Sequence, residues 1–163
     1  VCPKSIETSV GTIPVKFEYV LTIPIDDEGV WKILEDVPRV ALLMPGVDSV
    51  EAFGEGTYKG NLRIRIGPMS FNLAGVIGIT IDRSLGKWTL KAQAQDPKIG
   101  GGVLSTIETT VSQGDSTSTQ LTVQADIQFS GRMGQLGQAI VRKRADSMVQ
   151  EFTENLKRTL LET

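Results

Sequence analysis

The sequence predicts an α+β protein in which seven antiparallel strands form one curved sheet around a long C-terminal helix, with two short helices after the first strand. Three observations predict this class. An apolar stripe at helical spacing runs over residues 132–161. Apolar and polar residues alternate through most of 47–129, and turn residues interrupt the alternation at short intervals. Because the connections are short, neighbouring strands are expected to pair antiparallel.

The composition limits what the protein can do. With 163 residues the chain is long enough for a core, and we expect a single domain over 1–163. A net charge of -2 argues against general attraction to nucleic acid. The chain has no histidine, which removes the commonest general base and transition-metal ligand. No apolar run approaches the ~20 residues of a membrane-spanning helix, and no signal peptide is visible, so we expect a cytoplasmic location.

The first part of the chain predicts one strand and two short helices. Residues 1–12 show no pattern and predict a loose lead-in that carries Cys2. Alternation predicts the first strand over 15–23, and helices are predicted over 27–36 and 38–43. Three acids stand at the start of the first helix: Asp26, Asp27 and Glu28. We interpret them as complements of the helix dipole rather than as metal ligands.

Six further strands follow the two helices. They are predicted over 47–52, 58–66, 69–81, 88–95, 103–111 and 121–129. Glycine and proline mark the turns between them. The triplet Gly100-Gly101-Gly102 lacks the Lys-Ser/Thr pair of a phosphate-binding loop, so we interpret it as a turn or bulge.

The last helix is predicted over 132–161, about 45 Å long at 1.5 Å per residue. Its apolar stripe consists of Met133, Leu136, Ile140, Met148, Phe152, Leu156 and Leu160. Such a stripe needs a broad apolar surface, which the sheet supplies. Gly134 and Gly137 each cost a helix about 1 kcal/mol relative to Ala. Either the helix start approaches the sheet closely there, or its first turns loosen and act as a gate.

The inner face of the predicted sheet is apolar, with Ser105 and Thr109 as polar exceptions and without Asp, Glu, Lys or Arg. An enzyme would need a positioned acid, base or nucleophile there, so we predict no catalytic residue, no metal and no cofactor. The face suits either a filled core or a container for an apolar ligand. The residues predicted to line such a cavity are Tyr19, Tyr58, Leu62, Phe71, Leu73, Trp88, Leu90, Ile107, Phe129, Met133, Leu136, Ile140 and Met148.

Several short motifs, in order along the chain, resemble those of the CoxG family of carbon monoxide dehydrogenase subunits. They are Val30-Trp31-Lys32-Ile33-Leu34-Glu35-Asp36, Met44-Pro45-Gly46-Val47, Tyr58-Lys59-Gly60, Ile66-Gly67-Pro68, 71–75, Gly131 and Gly134-Gln135-Leu136-Gly137. The resemblance covers about 13–161. It implies the helix-grip fold of the superfamily that includes START lipid-binding domains, pathogenesis-related allergens and polyketide cyclases.

The resemblance also implies a function. Family members are encoded beside molybdenum-containing dehydrogenases and are thought to assist them, and some hold a quinone or lipid. We therefore expect a non-enzymatic accessory protein that binds a quinone or lipid and partners a molybdenum-flavin dehydrogenase. Many members carry a hydrophobic C-terminal tail, which this sequence does not show, so peripheral membrane association is the expectation. Two alternatives stay open: a cyclase- or dehydratase-type enzyme, and a protein-interaction subunit with a filled core.

Overall fold

The computed structural model describes residues 13–115 and 117–161 and confirms the predicted architecture. The predicted lead-in, with Cys2, lies outside the described residues. The elements in chain order are β1 (Ile13–Ile23), α1 (Asp27–Leu34), α2 (Val37–Leu42), β2 (Val47–Gly54), β3 (Thr57–Ile66), β4 (Met69–Asp82), β5 (Lys87–Asp96), β6 (Gly101–Gln113), β7 (Thr119–Ser130), α3 (Gly131–Gly134) and α4 (Gln138–Leu161).

The seven strands form one antiparallel sheet in the order β1-β7-β6-β5-β4-β3-β2. Consecutive strands pair from β2 to β7, as the short connections predict. The first strand pairs with the last, and Leu21 lies opposite Leu121. β1 and β2 are therefore the two edges of the sheet.

The start of α1 confirms the interpretation of its acids. The carboxylate of Asp26 accepts a hydrogen bond from the backbone N–H of Gly29 at 3.0 Å and so caps the helix. Asp27 and Glu28 lie in the first turn, where the helix dipole favours negative charge. The apolar side of α1 is buried and includes Trp31.

The predicted helix over 132–161 is interrupted, which corrects the prediction of one continuous rod. α3 ends at Gly134, and α4 begins at Gln138. Gly137 has a φ of 89°, a left-handed conformation that a helix interior does not tolerate. A Cβ at Gly137 would meet nothing within 4 Å, so the glycine is required by the turn and not by packing.

The close approach to the sheet occurs at α3. The backbone N–H of Arg132 donates to the carbonyl of Gly100 at 2.8 Å. Gly131 bridges Gly101, and a Cβ on Gly101 would lie 3.1 Å from Cγ of Met133. Of the two alternatives, close approach thus applies to α3, while the break at Gly137 leaves a flexible joint between α3 and α4.

Two clusters of buried side chains hold the sheet and helices together. The closed-end cluster consists of Ile23, Val30, Trp31, Ile33, Leu34, Val40, Trp88, Leu121, Leu156 and Leu160. The hinge-end cluster consists of Val15, Phe17, Ile66, Phe71, Leu73, Ala125, Phe129, Met133 and Val141. The closed-end cluster lies under α1, α2 and the end of α4, and the hinge-end cluster lies under α3 and the start of α4.

Candidate ligand-binding site

A row of residues across the inner face of the sheet separates the two clusters. Tyr58 pairs with Ile77, Ile77 with Ala92, and Ala92 with Ser105. None of these four residues, which we call the central row, belongs to either cluster. Along β5, Leu90 on one side of the row packs against the closed-end cluster, and Ala94 on the other side packs against the hinge-end cluster.

The middle of the central row is built from small side chains. Ala92 and Ser105 are its two central members, and Gly75 lies opposite Ala94 in the next row. Small side chains leave the sheet surface low where large ones on either side raise it. On the helix, Met148 is buried and also stands outside both clusters. The fold therefore brings together a shallow strip of sheet and an adaptable methionine between two well-packed regions.

Three hydroxyl groups on this face have no hydrogen-bond partner among the described residues. They belong to Tyr58, Ser105 and Thr109. Ser105 and Thr109 are buried, and Tyr58 is half-buried. Because an unmade hydrogen bond in a buried setting costs about 1–3 kcal/mol, such groups are suited to an oxygen atom of a ligand. The sequence marked all three as polar or phenolic positions of the inner face.

The structure divides the predicted cavity-lining residues into three groups. Trp88 and Leu90 belong to or pack against the closed-end cluster. The hinge-end cluster or its margin contains Tyr19, Leu62, Phe71, Leu73, Ile107, Phe129, Met133 and Leu136. Tyr58 and Met148 lie in neither. The indole N–H of Trp88 donates to the carbonyl of Leu34 at 3.0 Å, which indicates a structural role for that side chain.

Ile140 corrects the predicted helix stripe. Its side chain is 41% exposed, whereas its neighbour Val141 is 2% exposed and belongs to the hinge-end cluster. The turn at Gly137 restarts the helix, so four-residue steps counted from Met133 do not continue into α4. From Met148 onward the predicted stripe and the buried face agree.

One flank of α4 carries a contact that the sequence did not predict. The hydroxyl of Tyr19 on β1 donates to the carboxylate of Asp146 at 2.5 Å. The guanidinium of Arg142 lies 5.0 Å from the ring centroid of Phe17. Burial raises the pKa of Tyr19, and the hydrogen bond to Asp146 and its charge raise it further, while Arg142 opposes them. The pair attaches the middle of α4 to the edge strand.

The other flank of α4 carries Arg144. Its Nη1 donates to Oγ of Ser147 at 2.9 Å, but its Nε is buried without a hydrogen-bond partner. Among the described residues it makes no ion pair. The sequence pattern placed Arg144 with the residues that want water, because the phase of the helix after Gly137 was not visible.

A buried carboxylate at the end of β5 also escaped prediction. Asp96 accepts hydrogen bonds from the backbone N–H groups of Ile99, Asn72 and Lys98 at 3.0, 2.9 and 2.9 Å. These bonds, with that from Ile99 largest, lower the pKa of Asp96. Its oxygens are engaged in holding the turn, which is confirmed as the role of Gly100-Gly101-Gly102 as well.

Two clefts on the described part of the molecule lie away from the space under α4. A cleft of about 390 Å³ lies on the outer side of β2, β3 and β4 and includes Ser49, Lys59 and Val76. A second, of about 310 Å³, lies at the turn between β5 and β6 beside the start of α3. The predicted cavity is thus not one of these two clefts.

Comparison with known proteins bears on the family and the fold. Residues 21–161 match the model of the CoxG family of carbon monoxide dehydrogenase subunits. No curated protein matches the sequence. No helix among the described residues is long and apolar enough to cross a membrane.

Solved structures share the fold at low identity. A conserved protein from Geobacillus kaustophilus has 20% identity and a TM-score of 0.83, covering 91% of this chain and 96% of that one. The Zhui aromatase/cyclase from Streptomyces sp. R1128 has 18% identity and a TM-score of 0.60, covering 92% and 93%. A START superfamily protein from Mycobacterium smegmatis has 11% identity and a TM-score of 0.64, covering 90% and 97%. These likenesses show the helix-grip fold alone.

Proposed function

The chain belongs to the CoxG family of carbon monoxide dehydrogenase subunits, and from this membership we propose that it is a non-enzymatic accessory protein that binds a quinone or lipid under α4. The observation that carries the proposal is the central row. Its small, uncharged middle lies between two packed clusters and beside hydroxyl groups that have no partner among the described residues.

The joint between α3 and α4 supports a route to this site. Gly137 has a left-handed backbone and no neighbouring atom at the position of a Cβ. The start of α4 is attached to β1 by an exposed hydrogen bond, from Nε2 of Gln138 to the carbonyl of Pro14 at 3.0 Å. An exposed hydrogen bond contributes little, so this end of the helix is the one that moves for ligand entry.

The ligand is tested by mass spectrometry of an organic extract from the protein purified from its source cells. We expect a quinone or lipid at near-equal stoichiometry, and uptake of an added quinone in a titration of extracted protein. An extract without such a molecule, together with no uptake, would overturn the proposal.

The partner is proposed to be a molybdenum-containing dehydrogenase, as membership of the family suggests. The test measures quinone reduction by such an enzyme, purified from the same cells, with and without this protein. We expect faster reduction when the protein is present and carries the quinone. Equal rates would leave ligand binding intact but remove the partner.

An interaction subunit with a filled core is the second candidate. The observation that favours it is that the clefts of about 390 and 310 Å³ lie outside the space under α4. A negative extract and a negative titration are what this candidate predicts.

A cyclase-type enzyme has weaker support. The carboxylate of Asp96 is held by three backbone N–H groups, and the phenol of Tyr19 has a raised pKa, so it gives up its proton less readily. Neither group is poised for acid–base catalysis near neutral pH.

A further inference from the structure

We propose that Arg144 selects a ligand with an anionic head, so that the molecule bound under α4 is an acidic amphiphile such as a long-chain carboxylate. This inference rests on the proposed function and narrows it from quinone or lipid to a lipid with an acidic head. It is carried by the position of Arg144 on the helix, the burial of its Nε and the lack of an anionic partner among the described residues.

Arg144 lies on the flank of α4 that faces away from β1. It is about three helical turns before Asn155, so the two side chains leave the helix in nearly the same direction. Nδ2 of Asn155 donates to the carbonyl of Leu43, after α2, at 2.8 Å. At the other end of this flank, Cγ2 of Ile140 would lie 3.3 Å from a Cβ on Gly67, in the turn between β3 and β4.

The side chain of Arg144 is therefore located between α4 and the β3 side of the sheet. That side of the inner face is apolar, with Leu62 and Ile64 packed against the hinge-end cluster. Tyr58, on the same strand, contributes a hydroxyl without a partner among the described residues. Glu151, two turns further along the same flank, forms no ion pair with Arg144.

A guanidinium remains charged at all relevant pH values, and a partly buried cation is costly unless an anion or several hydrogen bonds compensate it. Ser147 supplies one neutral hydrogen bond, at Nη1. A carboxylate would supply both a charge and two acceptor oxygens in the geometry that guanidinium matches. A neutral quinone oxygen would accept a hydrogen bond but leave the charge uncompensated, which is why the acidic head is favoured.

The opposite flank provides the contrast. Arg142 lies over the ring of Phe17, close to the carboxylate of Asp146, which Tyr19 also contacts. Its charge is therefore compensated by groups of the protein itself. Arg142 thus offers a matched control on the same helix.

The experiment compares dodecanoate with dodecanol, below their aggregation concentrations, in calorimetric titrations of the extracted full chain. We expect dodecanoate to bind about 10-fold more tightly than dodecanol, because hydrogen bonds to charged groups are the stronger class. Arg144→Gln should remove this preference by weakening dodecanoate alone, whereas Arg142→Gln should retain it. Arg144→Lys, which keeps the charge without the paired donors, should retain part of the preference.

Two results would overturn the inference while leaving the proposed function in place. One is equal affinity of the wild-type protein for dodecanoate, dodecanol and a short-chain quinone. The other is an acid preference that survives Arg144→Gln in a variant whose circular dichroism matches the wild type. Should that variant not fold, Arg144→Met and the wild-type comparison decide. If no apolar molecule binds the wild type, the proposed function itself fails.

Discussion

The two ends of the space under α4 are built differently, although both are apolar. The closed-end cluster is tied by hydrogen bonds that join separate elements: Trp88 to Leu34, and the hydroxyl of Thr119 to the carbonyl of Ile25 at 2.8 Å. The hinge-end cluster is covered by two helices with a glycine joint between them. A continuous helix with buried ties makes a rigid end, and an interrupted helix makes an end that opens at lower cost.

This contrast indicates where structure and function separate in the fold. Large aromatic and aliphatic side chains fill the closed end, so substitutions there should act on stability. Small side chains and a joint characterise the region toward the hinge end, so substitutions there should act on binding. Variants at both ends can therefore test the contrast directly.

The largest effect is expected at Trp88. Trp88→Ala should reduce the free energy of unfolding by about 3–5 kcal/mol, since a buried aromatic side chain and its hydrogen bond to Leu34 are lost. For a chain of this length the melting temperature should fall by roughly 10 °C. Leu85→Ala, at a side chain 65% exposed, is the control and should change the melting temperature little. A loss below about 1 kcal/mol at Trp88 would contradict a tightly packed closed end.

Filling the central row tests whether its space is free. Ala125, which is buried in the hinge-end cluster, should lose about 1–3 kcal/mol of unfolding free energy on substitution by Leu, because extra methylenes overpack a filled region. Ala92→Leu should cost less than about 1 kcal/mol and should abolish ligand uptake. Denaturant unfolding and ligand titration measure both effects. Equal destabilisation by the two substitutions would indicate a filled core.

The joint can be tested against a matched glycine. Gly137 and Gly100 have φ values of 89° and 82°, and a Cβ at either would meet nothing within 4 Å. Replacing each by Ala should therefore cost a similar conformational free energy, about 1 kcal/mol. Stopped-flow ligand binding should be slowed by Gly137→Ala and not by Gly100→Ala. Unchanged rates in both variants would rule out the joint as the entry point.

The helix attachments at the two ends should differ in strength. Asn155→Ala removes the partly buried hydrogen bond to Leu43 and should cost about 1 kcal/mol. Gln138→Ala removes the exposed hydrogen bond to Pro14 and should cost less than about 0.5 kcal/mol. Denaturant unfolding measures both losses, and the reverse order would place the firm attachment at the hinge end.

The smallest effect concerns pH and the contact between α4 and β1. Because the folded protein raises the pKa of Tyr19, stability from this group is complete below the ordinary tyrosine pKa, near 10, and is lost as pH rises above it. Tyrosinate absorbance should show that one of the two tyrosines resists ionisation above about pH 10. Asp146→Asn should lower that pKa, and Tyr19→Phe should remove the resistant step. An unchanged titration in Asp146→Asn would contradict this cause.

Alternation along the strands was enough to predict the sheet. The strand predicted over 58–66 is β3 (Thr57–Ile66), and that over 69–81 is β4 (Met69–Asp82). Period-two patterns are local, and one buried face determines the register of each strand. The acids at α1 were equally predictable, since helix capping depends on adjacent residues.

The interruption of the last helix and its consequences could not be predicted from periodicity. Gly137 restarts the helical phase, which moves the buried position from Ile140 to Val141 and brings Arg144 to a partly buried flank. The contact between Tyr19 and Asp146 depends on that phase and on the curvature of the sheet. The division into two clusters depends on which rows of neighbouring strands align, and this is a property of pairing across the sheet.

The pairing of β1 with β7 has a consequence for synthesis of the chain. Tyr19 waits for Val123, and Leu21 for Leu121, so the first strand leaves the ribosome long before its strand partner exists. Its alternating apolar residues are meanwhile exposed, and contacts so distant in sequence slow folding. The sheet and its covering helix are therefore expected to assemble only after nearly the whole chain has emerged, with β1 as the segment most in need of a chaperone.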